Sequence, residues 1–273
     1  MIKEKMAGTV ISISVLMLAL CACGVKTSAG KAAGNNVADE VYGNAAVGAT
    51  DKSAADSWSS ASTQTMLEVT PYWIALLPQA KDASQLFVVA AYEGTNAWVS
   101  LSEKDKDGKW NMIMTTPGFI GRNGLGKAKE GDGMTPVGTF HFNNAFGIAP
   151  DPGCQIPYTQ VDDDIYWSGD VRDGMRYNEM INIKDYPDLN TDDSEHIVDY
   201  TRQYQYCLNI DYNRECVPGL GSAIFLHCLG PYKPYTGGCV AIPEDQMRIV
   251  MKNVSHDCVV VIDTFENLGA EFP

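Results

Sequence analysis

Long apolar or alternating runs recur along the chain from residue 85 onward. Residues 85–92 (Gln85-Leu-Phe-Val-Val-Ala-Ala-Tyr92) are apolar almost throughout, and residues 97–101 and 110–114 resume the pattern after short polar breaks. Runs of this length, rich in β-branched and aromatic residues, predict strands. Lys104-Asp-Lys-Asp-Gly108 supplies a turn, so these segments predict a meander that opens the folded part. Further strands are predicted over residues 137–142, 206–210, 223–227 and 258–262. The last is β-branched throughout, which predicts burial on both faces.

Helical periodicity is sparse. It is clearest over residues 243–253, where Pro243 suits a first helical position and Glu244 and Asp245 suit the positive end of the dipole. Met247, Val250, Met251 and Val254 then share one face. A second, weaker helix is predicted over residues 194–202. Residues 162–193 are acidic and mix Tyr, Trp, Asp and Asn without a clean period, which predicts an insertion or lid of low regularity. The pattern as a whole predicts a mainly β domain with few helices.

The first residues differ in kind. Lys3 and Lys5 precede a nearly uninterrupted apolar stretch over residues 9–22. That stretch falls short of the roughly 20 residues a membrane span needs and predicts an export signal over residues 1–22. Leu20 and Ala22 stand at −3 and −1 before Cys23, resembling a bacterial lipobox. Lipidation of Cys23 would place the chain outside the cytoplasmic membrane, held by acyl chains. Residues 23–65 are rich in Ala, Gly, Ser, Asn and Asp, predicting a flexible tether with a reach of roughly 35 Å. Trp58 is unexplained by that reading. Residues 66–273 are ample for one domain with its own core.

The net charge of −14 makes nucleic acid a poor partner and leaves binding to a shaped site. After Cys23 the cysteines are Cys154, Cys207, Cys216, Cys228, Cys239 and Cys258. An even count in an exported protein permits disulfides, but reserving one cysteine for chemistry leaves five. Two bridges with one free thiol, or no bridge, both fit the spacing. Gly121-Arg-Asn-Gly-Leu-Gly126-Lys127-Ala128 nearly spells a phosphate loop. Ala128 stands where a magnesium-holding hydroxyl is needed, so a flexible loop is expected instead.

The chemistry concentrates at Ala223-Ile-Phe-Leu-His227 and Thr236-Gly-Gly-Cys239. A thiol attacks as thiolate, and a nearby imidazole is the usual means of forming one. Alternation places Ala223, Phe225 and His227 on one face and Cys228 on the other, so Cys228 reads as structural. Gly237 and Gly238 let the backbone turn sharply, and the amides of Gly238 and Cys239 are candidates for an oxyanion hole. The following helix would favour thiolate at Cys239. A zinc site on His227, Cys228 and Cys239 lacks the usual ligand spacing, and no metal or cofactor is expected.

His227, Thr236, Gly238 and Cys239 resemble the His and Ser/Thr-x-Gly-Cys elements of the L,D-transpeptidase catalytic domain of the YkuD type. Thr135-Pro136-Val-Gly138-Thr-Phe140 resembles the same family's Thr-Pro-x-Gly-x-Phe strand. The resemblance covers roughly residues 86–263 and implies a sandwich-like β fold with the cysteine in a cleft. It implies Cys239 as nucleophile, His227 as general acid and base, and Gly238 in the oxyanion hole. Thr236, Gly237 and His196 are expected to border the substrate. The implied activity is transfer of a peptidoglycan stem tetrapeptide from Cys239 to an amine, giving a 3→3 cross-link. An L,D-carboxypeptidase or another cysteine peptidase on that substrate is the alternative, and an inactive wall-binding lipoprotein is a third. A monomer is expected. The His-to-Cys spacing is shorter than usual, and Gly237 and Ala241 replace a second histidine and an arginine common in the family, marking a divergent branch.

Overall fold

The computed structural model describes residues 68–271 with the exception of Tyr232. The export signal, the Cys23 lipobox, the tether and Trp58 lie outside the described residues. The described part begins with β1 (Glu68–Val69) and the short α1 (Tyr72–Ala75). The predicted meander follows as β2 (Gln85–Ala91), β3 (Asn96–Lys104) and β4 (Trp110–Phe119). Next come β5 (Gly138–Gly147), β6 (Tyr158–Gln160), β7 (Ile165–Trp167), β8 (Met180–Asn182) and β9 (Glu195–His196). The chain then forms β10 (Cys207–Ile210), β11 (Phe225–Cys228), β12 (Val240–Ile242), α2 (Glu244–Asn253) and β13 (Val259–Thr264).

The mainly β class with few helices is the class observed. The large sheet runs β1-β4-β12-β11-β10-β5-β13-β2-β3, and β3 pairs back to β4 and closes the circuit. β6 adds to β5 at one end. The strand β2 is buried on both faces: Phe87, Val89 and Ala91 enter the inner core, while Leu86, Val88 and Ala90 pack under α1 residues Trp73 and Ile74. β13 behaves as its β-branched sequence predicts, with Val260 and Ile262 inside and Val261 in the outer cluster. Met247, Val250, Met251 and Val254 of the α2 segment all reach the inner core. Each such burial stabilises by about 1.5–3 kcal/mol, which outweighs the modest intrinsic propensity of a ten-residue helix.

Two expectations are corrected. Residues 194–202 form no α-helix: Glu195 and His196 make β9, and Ile197–Asp199 is a single 3₁₀ turn. The reason is tertiary, since Glu195 pairs with Trp167 and Trp167 is wholly buried. The acidic insertion is also regular. β8, β7 and β9 form a separate three-stranded antiparallel sheet. Its loops are pinned by Asp170, buried, which takes three bonds from the Arg172 guanidinium and one each from the Arg172 and Asn190 backbone amides. Those contacts, led by Arg172, hold the carboxyl well below the usual range. All six cysteines from Cys154 to Cys258 are free thiols.

Candidate active site

β11 and β12 run parallel, with Leu226 opposite Val240 and His227 opposite Ala241. Phe225 and Cys239 therefore face one side, in a cluster with Trp167 and Tyr204, while Cys228 and Leu226 point into the inner core. Cys239 closes the turn that begins at Thr236. The Thr236 hydroxyl accepts from the Gly238 amide at 3.0 Å and donates to the Cys239 carbonyl at 2.7 Å, so it builds the turn from within. Gly238 has φ +150°, and a Cβ there would come within 2.9 Å of the Met134 carbonyl. Gly237 has open space where a side chain would go, so only the second glycine is required by the fold.

The Thr135-Pro136 element meets the same turn. Thr135 is wholly buried; its hydroxyl accepts from the Gly121 amide at 2.8 Å and donates to the Gly238 carbonyl at 2.7 Å. Arg122 and Thr236 exchange further backbone bonds with this segment: Arg122 donates to the Thr236 carbonyl, and the Thr236 amide donates to Ile120. The loop of residues 121–135 is accordingly cross-braced, a correction to the flexible loop expected. Asp132 accepts from the amides of Ala128, Lys129 and Met134 and pairs with Lys127, whose side chain is only 2% exposed. Burial pushes that carboxyl upward, but the amides and Lys127 outweigh it and hold it well below its usual value.

Cys239 and His227 line one cavity of about 530 Å³, together with Glu195, Tyr204, Thr236 and Gly237. Each of the pair is 7% exposed. No hydrogen bond joins them. The Cys239 thiol donates to the Ala223 carbonyl at 3.1 Å and accepts from the Phe225 amide at 3.3 Å. Ala223 holds that carbonyl in a left-handed conformation, φ +55°, uncommon for a residue with a side chain. The His227 Nδ1 lies 2.8 Å from the Cys228 carbonyl. A carbonyl only accepts, so Nδ1 carries the proton and Nε2 is left as the basic nitrogen. The Tyr204 ring and the imidazole meet edge to face, centroids 5.4 Å apart.

The pair rests uncharged. Burial pushes the His227 imidazole down to about 4, against the Cys228 carbonyl. Burial, then the charge of Glu195, pushes the Cys239 thiol up to about 12, against the Phe225 amide and Lys127. The expected thiolate is thus not the resting state. Nor does α2 assist: the three-residue β12 separates Cys239 from its N-terminus by about 10 Å, beyond the first turn in which a helix dipole acts.

The two motifs, 103 residues apart in sequence and 2.7 Å apart in space, lie within residues 96–262, which match the family model for the YkuD L,D-transpeptidase catalytic domain. The chain belongs to that family. Similar solved structures include the helical cell shape determining protein Pgp2 from Campylobacter jejuni, at 15% identity over 71% of this chain and 54% of that one, with a TM-score of 0.34. A cysteine-to-serine mutant of an Enterococcus faecium L,D-transpeptidase is similar at 15% identity over 65% and 49% of the two chains, with a TM-score of 0.29. The chain spans about half the length of the solved structures it matches. No curated protein sequence matches it.

The remaining sequence candidates divide. Thr236 and Gly237 border the cavity, Thr236 with its hydroxyl turned to the backbone. The Gly238 amide, expected in the oxyanion hole, is already spent on Thr236, which leaves the Cys239 amide as the candidate donor. His196 lies apart from the cavity, stacked on Tyr166 with its Nε2 at the Asp163 carbonyl and its Nδ1 at Asp199. Its neighbour Glu195 lines the cavity in its place, because alternation along β9 turns consecutive residues to opposite faces. Trp167, Lys127 and Glu130 also line the cavity; Trp167 and Glu130 carried no motif in the sequence, and Lys127 stood there only in the near-phosphate loop. Asn178 was equally silent, yet it accepts from both the Trp167 indole and the Ala223 amide and so ties the insertion to the residue that holds the thiol.

Proposed function

We propose that this chain is a cell-wall L,D-transpeptidase that carries a peptidoglycan stem tetrapeptide as a thioester on Cys239. The observation that carries the reading is the placement of Cys239 and of the free His227 Nε2 on one cavity, the imidazole fixed by its Nδ1 bond to Cys228. Substrate displaces the thiol from Ala223, and His227 accepts its proton as sulfur attacks the acyl carbon beside the terminal D-residue. A neutral imidazole is the form able to take that proton. The Cys239 amide faces the oxyanion, and His227 returns the proton to the leaving amine. An amine then resolves the thioester and gives the 3→3 cross-link. Residues 66–273 act as the catalytic domain. The export signal of residues 1–22 directs it out and is removed, and the lipidated Cys23 with the tether of residues 23–65 holds it on the outer side of the membrane within reach of the wall.

Incubation of the protein with purified tetrapeptide muropeptides tests the reaction. Mass analysis is expected to show cross-linked dimers with loss of the terminal residue, and none with Cys239→Ala. Tripeptides without dimers would make it a carboxypeptidase, and no product from the wild type would remove the reading. The anchor has its own check: Cys23→Ala is expected to move the protein from the membrane fraction to the soluble one, and unchanged membrane retention would count against lipidation.

A further inference from the structure

Glu195 stands in the cleft wall with no cationic partner. Trp167 pairs with it across β7 and β9, and both side chains line the cavity that holds Cys239 and His227. The Tyr204 hydroxyl donates to its Oε2 at 2.6 Å, and Oε1 has no hydrogen-bond partner among the described residues. None of the ion pairs among the described residues includes Glu195. The cations on the same cavity are Arg122, Lys127 and Lys233; Lys127 is taken by Asp132, and Lys233 lies over the Tyr235 ring. Of the cavity's other acids, Glu130 is held by the Tyr177 and Ser222 hydroxyls and Asp193 by the Asn190 amide. A half-buried carboxylate without a counter-charge is costly, and a cation arriving beside it removes that cost. Tyr200 stacks on Tyr204, centroids 4.5 Å apart, and also lines the cavity, adding aromatic faces that favour a cation.

We propose that Glu195 binds the primary ammonium group of the acyl acceptor and takes its first proton, selecting an amine over water in the second half-reaction. The inference rests on the acyl-transfer reading and concerns only its acceptor. The proton count calls for such a group. An acceptor R–NH₃⁺ sheds two protons on becoming an amide, while the departing sulfur takes back one. Glu195 accepts the first proton, freeing the nitrogen lone pair. The N–C bond then forms as the C–S bond breaks, and His227 takes the second proton and passes it to the Cys239 sulfur. The proton on Glu195 leaves to solvent with the product. Water as acceptor needs only the His227 step, so Glu195 affects transfer and leaves hydrolysis alone. Burial, opposed by the Tyr204 hydroxyl, raises the Glu195 carboxyl to about 7, a value suited to exchanging a proton with an amine near neutrality.

The test uses the full chain, a tetrapeptide donor and a peptide bearing a single free primary amine, with acyl-enzyme, transfer product and hydrolysis product followed by mass. Glu195→Gln keeps the shape and the bond from Tyr204. Removing the Glu195 charge eases ionisation of the Cys239 thiol, so acyl-enzyme is expected to form at least as fast as in the wild type, and the readout is the ratio of transfer to hydrolysis from that acyl-enzyme. Transfer by the variant is expected to fall about 100-fold, with the rise of transfer through neutral pH abolished. In the wild type, an unreactive quaternary ammonium compound is expected to suppress transfer and spare hydrolysis, a reading that needs no variant. An unchanged ratio of transfer to hydrolysis in Glu195→Gln would overturn the proposal. So would loss of acylation in a folded Glu195→Gln protein, or indifference of wild-type transfer to the quaternary compound. Absence of any acyl-enzyme on the wild type would instead overturn the acyl-transfer reading, and this inference with it.

Discussion

Thr135 shows how a single buried hydroxyl ties a distant motif to the nucleophile. It takes the Gly121 amide and gives its proton to the Gly238 carbonyl, with the Cys239 carbonyl 3.2 Å away. Thr135→Val keeps the volume and leaves a buried donor and acceptor unpaired. The expected cost is about 2 kcal/mol of stability together with a larger loss of turnover, and Thr135→Ser is expected to restore both. Thermal unfolding and product formation measured on the two variants check this; a Thr135→Val protein with wild-type turnover would count against the brace. Legibility at this scale was uneven. Residue type, order and spacing singled out Cys239 and His227, which the fold brings to one cavity, and the family resemblance singled out Thr135. Their protonation states depend on burial and on Glu195, and the use of the Gly238 amide depends on the rotamer of Thr236. No linear pattern records either.

Among the elements, the long strands and α2 were readable because each buries enough apolar surface to impose its own period. The small sheet was not. β7, β8 and β9 have two or three residues each, too short for alternation to register, and Trp167 decides their arrangement. Its ring stacks on Phe146, meets Phe225 edge-on at 4.8 Å and donates to Asn178. Phe225 in turn donates its amide to the Cys239 sulfur, so the insertion, β11 and the thiol share one packing unit. Trp167→Ala is expected to destabilise the protein by about 3–5 kcal/mol and to release the edge that carries Glu195. Denaturant unfolding together with amide exchange over residues 165–196 measures both effects. A loss below about 1 kcal/mol with unchanged protection would show that the sheet stands without it.

For the whole molecule, pH links these sites to stability. The Asp132 and Asp170 carboxyls sit below their unfolded value of 3.8, so the unfolded chain binds protons first. Their stabilisation is complete above that value and is lost as the pH falls through and below it. His227 and Glu195 oppose one another at higher pH. The depressed imidazole loses stability as pH falls from 6.5 toward about 4, whereas the raised carboxyl loses it as pH rises from 4.5 toward about 7. Stability is therefore expected to change little between these limits and to drop steeply below about pH 4. A double variant with Asp132→Asn and Asp170→Asn is expected to flatten the drop, as chemical denaturation across pH would record; an equally steep loss would place the acid sensitivity elsewhere. The closed sheet was visible in the sequence only as its class, since pairings such as β13 with β2 join residues far apart in the chain. The proposed function requires this fold to deliver one acylable thiol to the cleft. Intact-mass analysis and peptide mapping after exposure to a carbapenem or a tetrapeptide donor test it most directly. A single adduct on Cys239, absent from Cys239→Ala, is the predicted result; equal acylation of the variant, or an adduct on another cysteine, would contradict it.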